Sequence, residues 1–233
     1  MTLSYKIPVQ VIIPARKNSK RFPNKNKALL EGLPLISHSI KYALTEGIPV
    51  SQIWVNSDDL EILGIAEGFG VHQYRRPTDL AEDTTTTAAV LAEQLKYFMR
   101  ENIPCEAIVL LQVTNPFRPK GMLLGWINQL LASRNSSLCS FSPLNKKFGM
   151  LQSGKFKPVN YQPGQRIQDL EPLYYENGCI YISRATLIEE GKVIGEDTIP
   201  VILKDLIYAV DIDEEHDLEL AEALLRIKNE SWK

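Results

Sequence analysis

Short apolar runs of four to seven residues alternate along this chain with segments whose apolar residues recur every three or four positions. The runs at 9–15, 53–56, 71–74, 107–112, 138–142, 179–183 and 207–212 predict strands. Between them the spacing predicts helices over 34–46, 59–68, 84–100, 120–133 and 214–228. Pro34 stands where a first helical turn accepts proline, with Ile36, Ile40 and Ala43 or Leu44 on one side. "NSDD" and "DTTTT" supply capping residues for the second and third helices, and Val90, Leu91, Leu95 and Phe98 follow at helical spacing. In the last helix Leu218, Leu220 or Ala221, and Leu224 or Leu225 turn inward.

Strands alternating with helices predict βαβ units and a mostly parallel sheet, an α/β fold. In such sheets ligands bind beyond the carboxyl ends of the strands. That rule selects the loop after the first strand, "NSDD" after the second, "QVTNPFR" after the fourth and "DIDEEHD" after the last. Residues 145–173 break the alternation with Gly, Pro and short strand-like pieces, and predict a hairpin excursion that covers a site, mediates dimer contacts, or is an ordinary surface loop.

Charge sharpens the first of these loops. The chain has a formal net charge of −2, yet six of the twelve residues from Arg16 to Lys27 are basic and none is acidic. A slightly acidic whole argues against broad nucleic-acid binding. Either the loop is a solvated charge run, or it meets a small polyanion such as a triphosphate or pyrophosphate, for which Arg and Lys are suited and Asn18 and Ser19 add neutral donors. It is neither a Walker A loop nor a glycine-rich dinucleotide fingerprint, since no glycine precedes Gly32.

Asp211 and Asp213 stand two apart, on one side of an extended chain. They suit a shared divalent cation, Mg²⁺ where phosphates are bridged. The other reading has Asp213 capping the last helix and Asp211 solvated. His216 lies beside them, within reach of a cation's outer shell, while His38 and His72 read as structural. The three cysteines, Cys105, Cys139 and Cys179, are widely spaced and form neither a disulfide framework nor a zinc motif. No apolar run approaches the ~18 residues of a membrane span. A reduced, cytoplasmic protein is expected.

These stretches together resemble the CMP-sugar synthetase family, the cytidylyltransferases that activate sialic and related nonulosonic acids and, more distantly, Kdo. "IPARKNSKRFPNKN" resembles the family's opening loop, "RPTDLAEDTTTT" its R-P-x-x-L-A-x-D-T segment and "LLQVTNPFR" its L-L-Q-x-T-S-P-x-R. "YENGCIYI" and "VDIDEEHDLELAE" resemble its N-G-A-I-Y-I strand and closing D-I-D motif. The resemblance implies a three-layer α/β/α nucleotidyltransferase fold, Rossmann-like, over residues 1–233, and a homodimer built partly through 145–173. It implies that Arg16, Lys20 and Lys25 hold the CTP phosphates with Asn18 and Ser19 nearby, and that Thr85 and Thr87 contact the nucleotide. By the same resemblance Asp211 and Asp213 would bind Mg²⁺, and Gln112 would touch the acceptor, an acidic sugar.

The acceptor half departs from the sialic-acid pattern. Ile167 and Tyr175 stand where basic residues are expected; Arg166, Gln168 and Asn177 remain as acceptor contacts. Another nonulosonic acid, a different sugar acid or a phosphonate-type acceptor follows. Two other classes fit parts of the pattern. A GT-A glycosyltransferase would use Asp211-Ile212-Asp213 as its D-x-D. An RNA-binding module would use the basic loop, although Phe22 is its only aromatic residue.

Overall fold

Val9, Val11 and Ile13 face one side of strand β1 (Val9–Pro14), Ile12 faces the other, and all four are buried. A strand covered on both faces reads as a continuous apolar run, and this one is central to a parallel sheet. The exception, Gln10, is satisfied inside: its amide donates to the Pro104 carbonyl at 2.8 Å and accepts from the Trp54 indole at 2.9 Å. The computed structural model describes residues 8–230.

After β1 come a two-strand ribbon, β2 (Leu29–Leu30) and β3 (Leu33–Pro34), helix α1 (Leu35–Thr45), β4 (Ile53–Ser57), α2 (Leu60–Gly68) and β5 (His72–Arg75). Then follow α3 (Thr87–Arg100), β6 (Ala107–Leu110), α4 (Leu123–Ala132) and β7 (Ser137–Pro143). The hairpin β8 (Gly149–Gln152) and β9 (Lys155–Pro158) leads to β10 (Tyr174–Arg184), α5 (Ala185–Glu189), β11 (Ile199–Ile202) and α6 (Glu215–Glu230). Seven strands form one sheet in the order β11-β7-β10-β6-β1-β4-β5. Only β10 runs against its neighbours, β6 and β7; the other pairings are parallel.

The sheet is the middle of three layers. On one face, Leu35, Ile36 and Ile40 of α1, Ile62 and Leu63 of α2, Ile127 and Leu130 of α4 and Ala221 of α6 pack on Val11, Val55 and Val109. On the other, Leu91, Leu95 and Phe98 of α3 and Ile188 of α5 pack on Ile12, Ile108 and Leu110. The expected α/β/α layering is therefore present.

Three local expectations change. The expected strand at 207–212 is instead a 3-10 turn, Leu206–Ala209, started by Asp205 accepting from the Ile207 amide at 3.1 Å. Asp211 and Asp213 thus lie outside any strand, beyond a turn, tied to the segment that follows β6 by the Ile212 amide on the Thr114 carbonyl at 2.8 Å. The seventh strand is β11, which carries Pro200 at the sheet edge, where a missing N–H is tolerated. Finally, α3 starts at Thr87 rather than residue 84, because Thr86 is the residue that caps it, accepting from Ala89 N at 3.2 Å.

The excursion is a hairpin, with Ser153 and Gly154 both at positive φ, 50° and 74°, as its tight turn requires. Its side chains are exposed: Leu151 by 81 % and Phe156 by 54 %. No helix of the described residues is long and apolar enough to cross a membrane.

Candidate active site

β1 and β6 are neighbours from which the chain moves outward in opposite directions along the sheet, to β4 and to β7, and a crevice opens at their carboxyl ends. It forms a cleft of about 280 Å³. Of the residues expected from sequence, Arg16, Ser19, Lys25, Thr85, Thr87 and Gln112 line it. A continuation of about 310 Å³ adds Lys20, Arg21 and Asp213.

The basic loop's charge is answered from distant parts of the chain. Asp83 pairs with both Arg16 and Lys20, the latter at 2.5 Å. Asp213 pairs with Arg21 at 2.5 Å and Lys25 at 2.8 Å. Lys27 is set apart from the cleft, held by Asp59 at 3.0 Å and Glu61 at 2.6 Å. Asp59 also caps α2, accepting from the Glu61 amide at 2.9 Å. Two backbone ties shape the loop: the Lys17 amide donates to Asp58 Oδ1 at 2.8 Å, and the buried Asn26 amide donates to the Arg16 carbonyl at 2.8 Å.

The carboxylates respond to these neighbours. Lys20 and Arg16 hold the Asp83 carboxyl below the ordinary range. Burial works against ionisation of Asp213, but Lys25 and Arg21 outweigh it and its pKa also falls. Asp211 behaves oppositely. Desolvation by the surrounding chain lifts its carboxyl, Asp213 and Asp217 add to the lift, and Thr114 and Lys25 oppose it. Asp213 is not the cap of α6: Asp217 reaches back instead, accepting from the Asp213 and Glu214 amides at 2.9 and 2.8 Å.

Several expected residues are elsewhere. Asn18 is exposed on the loop outside the cleft lining. Arg166 and Gln168 lie on the exposed excursion, where Arg166 makes a two-pronged pair with Asp169 at 2.7 and 2.9 Å. Tyr175 is 39 % exposed on β10. Asn177, expected at the acceptor, is instead buried in the sheet. Its Oδ1 accepts from Ser140 Oγ at 2.7 Å and the Cys179 amide at 3.1 Å, and its Nδ2 donates to Ser142 Oγ at 3.0 Å. The reason is a bulge: pairing with β7 shifts between Glu176 and Tyr181, and the freed groups need partners.

The structure adds residues that sequence reasoning passed over. Arg76 follows β5, so the strand-end rule applies to it as well; it lines the cleft while only 7 % exposed. Burial pushes its pKa down to about 10, with Arg16 adding and Asp58 opposing. Thr114 and Asp83 also line the cleft. Arg118 is fully structural, donating to the carbonyls of Cys179 and Gln112 at 2.9 and 2.6 Å and to Ser39 Oγ at 3.1 Å. All three cysteines are free, and burial raises each thiol, to about 12 for Cys105 and about 11 for Cys179. None is a ready nucleophile.

A cation-rich cleft at this point of an α/β sheet has the chemistry to receive an anion, and the sequence speaks at family level: the model described as cytidylyltransferase matches residues 10–231. The chain belongs to the cytidylyltransferase family. It is 33 % identical to a CMP-N,N'-diacetyllegionaminic acid synthase of Legionella pneumophila, across 96 % of this chain and 98 % of that one. A pseudaminic acid cytidylyltransferase of Campylobacter jejuni is 30 % identical across 94 % and 97 %. An N-acylneuraminate cytidylyltransferase of Streptococcus agalactiae is also 30 % identical, with 88 % of this chain matching 50 % of that one. Among solved structures, a CMP:2-keto-3-deoxy-manno-octonic acid synthetase complexed with CTP shares the fold at a TM-score of 0.65 and 18 % identity, covering 94 % of this chain and 99 % of that one. This cytidylyltransferase is thus a nucleotidyltransferase, and its D-x-D is not that of a glycosyltransferase.

Proposed function

We propose that this cytidylyltransferase couples CTP to an acidic sugar of the nonulosonic type, releasing pyrophosphate and forming a CMP-sugar. The observation that carries the reading is the convergence of Arg16, Lys20 and Lys25 on one space at the carboxyl ends of β1 and β6. By their names, the similar proteins act on legionaminic, pseudaminic and acylneuraminic acids.

In this reading Arg16, Lys20 and Lys25 exchange Asp83 and Asp213 for phosphate oxygens, and Ser19 and the loop amides add neutral donors. Thr85 and Thr87 meet the nucleotide, and Gln112 and Tyr175 face the acceptor. The acceptor's anomeric hydroxyl oxygen bonds to the α-phosphorus as the bond from that phosphorus to the bridging oxygen breaks. The hydroxyl proton passes to solvent water, and pyrophosphate leaves with the bridging oxygen. Aligning the two reactants and stabilising charge on the leaving group supply most of the rate.

Mg²⁺ fits the aspartate pair. The donors are hard carboxylate oxygens, and Asp211 has no ion-pair partner among the described residues, so its lifted carboxyl gains from a cation. When bound, Mg²⁺ withdraws charge from the phosphate oxygens.

Arg166 and Gln168 sit outside the cleft of their own chain. Their acceptor role therefore goes with a homodimer in which the apolar excursion of one copy reaches the cleft of the other. The enzyme's free thiols suit the cytoplasm.

The test is pyrophosphate release from CTP and Mg²⁺ against N-acetylneuraminate, legionaminic and pseudaminic acids, Kdo and simple phosphonates, with UTP and GTP as controls. Release with CTP and one sugar acid is expected. Release with phosphonates alone would replace the sugar acceptor, and equal use of UTP would remove the cytosine preference.

A further inference from the structure

Asn56, Gln94 and Arg76 form a buried chain beside the cleft that the reaction above leaves without a role. Arg76 Nε donates to Asn56 Oδ1 at 2.7 Å, and Nη2 donates to the Asn56 carbonyl at 3.1 Å. Asn56 Nδ2 in turn donates to Gln94 Oε1 at 2.8 Å. Asn56 is 1 % exposed on β4 and Gln94 0 % on α3.

The direction of this chain is forced from one end. A guanidinium only donates, so the Asn56 oxygen must face Arg76. The Asn56 nitrogen must then face Gln94, and Gln94 must present its oxygen. Neither amide can flip while the other holds. What remains is Gln94 Nε2, buried with no hydrogen-bond partner. A buried polar group without a partner is costly, and an apolar side chain at 94 would avoid it. Keeping the amide makes sense if it restrains Asn56, and Asn56 restrains Arg76.

Arg76 needs such restraint. It is the one arginine lining the cleft that has no ion-pair carboxylate among the described residues, whereas Arg16 is paired with Asp83. We propose that Asn56 and Gln94 are positioning residues that lock the Arg76 guanidinium toward the cleft and so set affinity for the nucleotide. This rests on the cleft being the CTP site.

The test is CTP binding by calorimetry on the full chain, beside thermal melts, for Asn56→Leu, Gln94→Met, Arg76→Ala and the two double variants with Arg76→Ala. Calorimetry needs no knowledge of the acceptor. Asn56→Leu is expected to weaken CTP by about tenfold, the scale of a lost hydrogen bond to a charged group. Gln94→Met is expected to weaken it by roughly threefold at an unchanged Tm, because it deletes one buried unpartnered donor while creating another. In the Arg76→Ala background both effects should vanish, because both act through Arg76. Losses that persist in that background, or that simply follow a falling Tm, overturn the proposal in favour of a packing role. Equal CTP affinity in a folded Gln94→Met also overturns it, and covers the case in which Asn56→Leu does not fold. If the wild-type chain itself does not bind CTP, the nucleotide reading fails first.

Discussion

The Lys25 ammonium lies 2.8 Å from the Asp213 carboxylate, joining a loop after the first strand to the approach of the last helix, 188 positions later. In the proposed reaction this pair sets the cation assigned to phosphate against the carboxylate assigned to Mg²⁺. Lys25→Ala and Arg16→Ala are each expected to lose roughly 1.5–3 kcal/mol of CTP binding or transition-state stabilisation, about ten- to a hundredfold in kcat/KM. Kinetics with varied CTP check this, and unchanged values in both variants would remove the phosphate role.

Asp211 stands differently, since it is held by no ion pair among the described residues and its carboxyl is already lifted. Asp211→Asn is expected to leave the melt unchanged and abolish Mg²⁺-dependent pyrophosphate release. A variant that keeps full turnover across a Mg²⁺ titration would break the metal assignment.

Asn177 makes three buried hydrogen bonds inside the sheet. Asn177→Ala is therefore expected to lower stability by about 1–3 kcal/mol, through the partners it leaves unpaired. Denaturant unfolding measures it. A variant of native stability with a selectively raised acceptor KM would return Asn177 to the acceptor site.

His38 supplies a pH dependence. Desolvation dominates and lowers its pKa, outweighing the hydrogen bond between Nε2 and the Leu30 carbonyl at 3.0 Å. The unfolded chain then binds the proton more readily than the folded one. Stability from this group is fully present above about pH 6.5, the unfolded value, and falls as pH drops below it. Unfolding followed from pH 7 to 5 should show a smaller loss for His38→Gln than for the wild type; parallel curves would refute it.

The excursion presents apolar side chains to solvent, Leu151 foremost. Leu151→Asp combined with Phe156→Asp is expected to convert a homodimer to monomers while the far-UV spectrum stays unchanged. Sedimentation decides it, and an unaltered oligomeric state would move the interface elsewhere.

Much of this protein is legible in its sequence because the signals are local. The buried run containing Val11, Ile12 and Ile13 could only be a central strand, and the spacing of Leu91, Leu95 and Phe98 only a helix packed on one side. The basic loop and the D-I-D pair stood out because charge is visible residue by residue. What tertiary structure decided is pairing across distance. Nothing local says that Asp83 answers Arg16, that Asn177 turns into the sheet to satisfy a bulge, or that Arg76 is gripped by an amide chain from α3. The apolar stretch after Thr198 contains enough β-branched residues for either of two strands. Pairing with β7 selects Ile199–Ile202, and an aspartate-capped turn takes the rest. Periodicity records which face of an element is buried; which groups meet there depends on how the layers close.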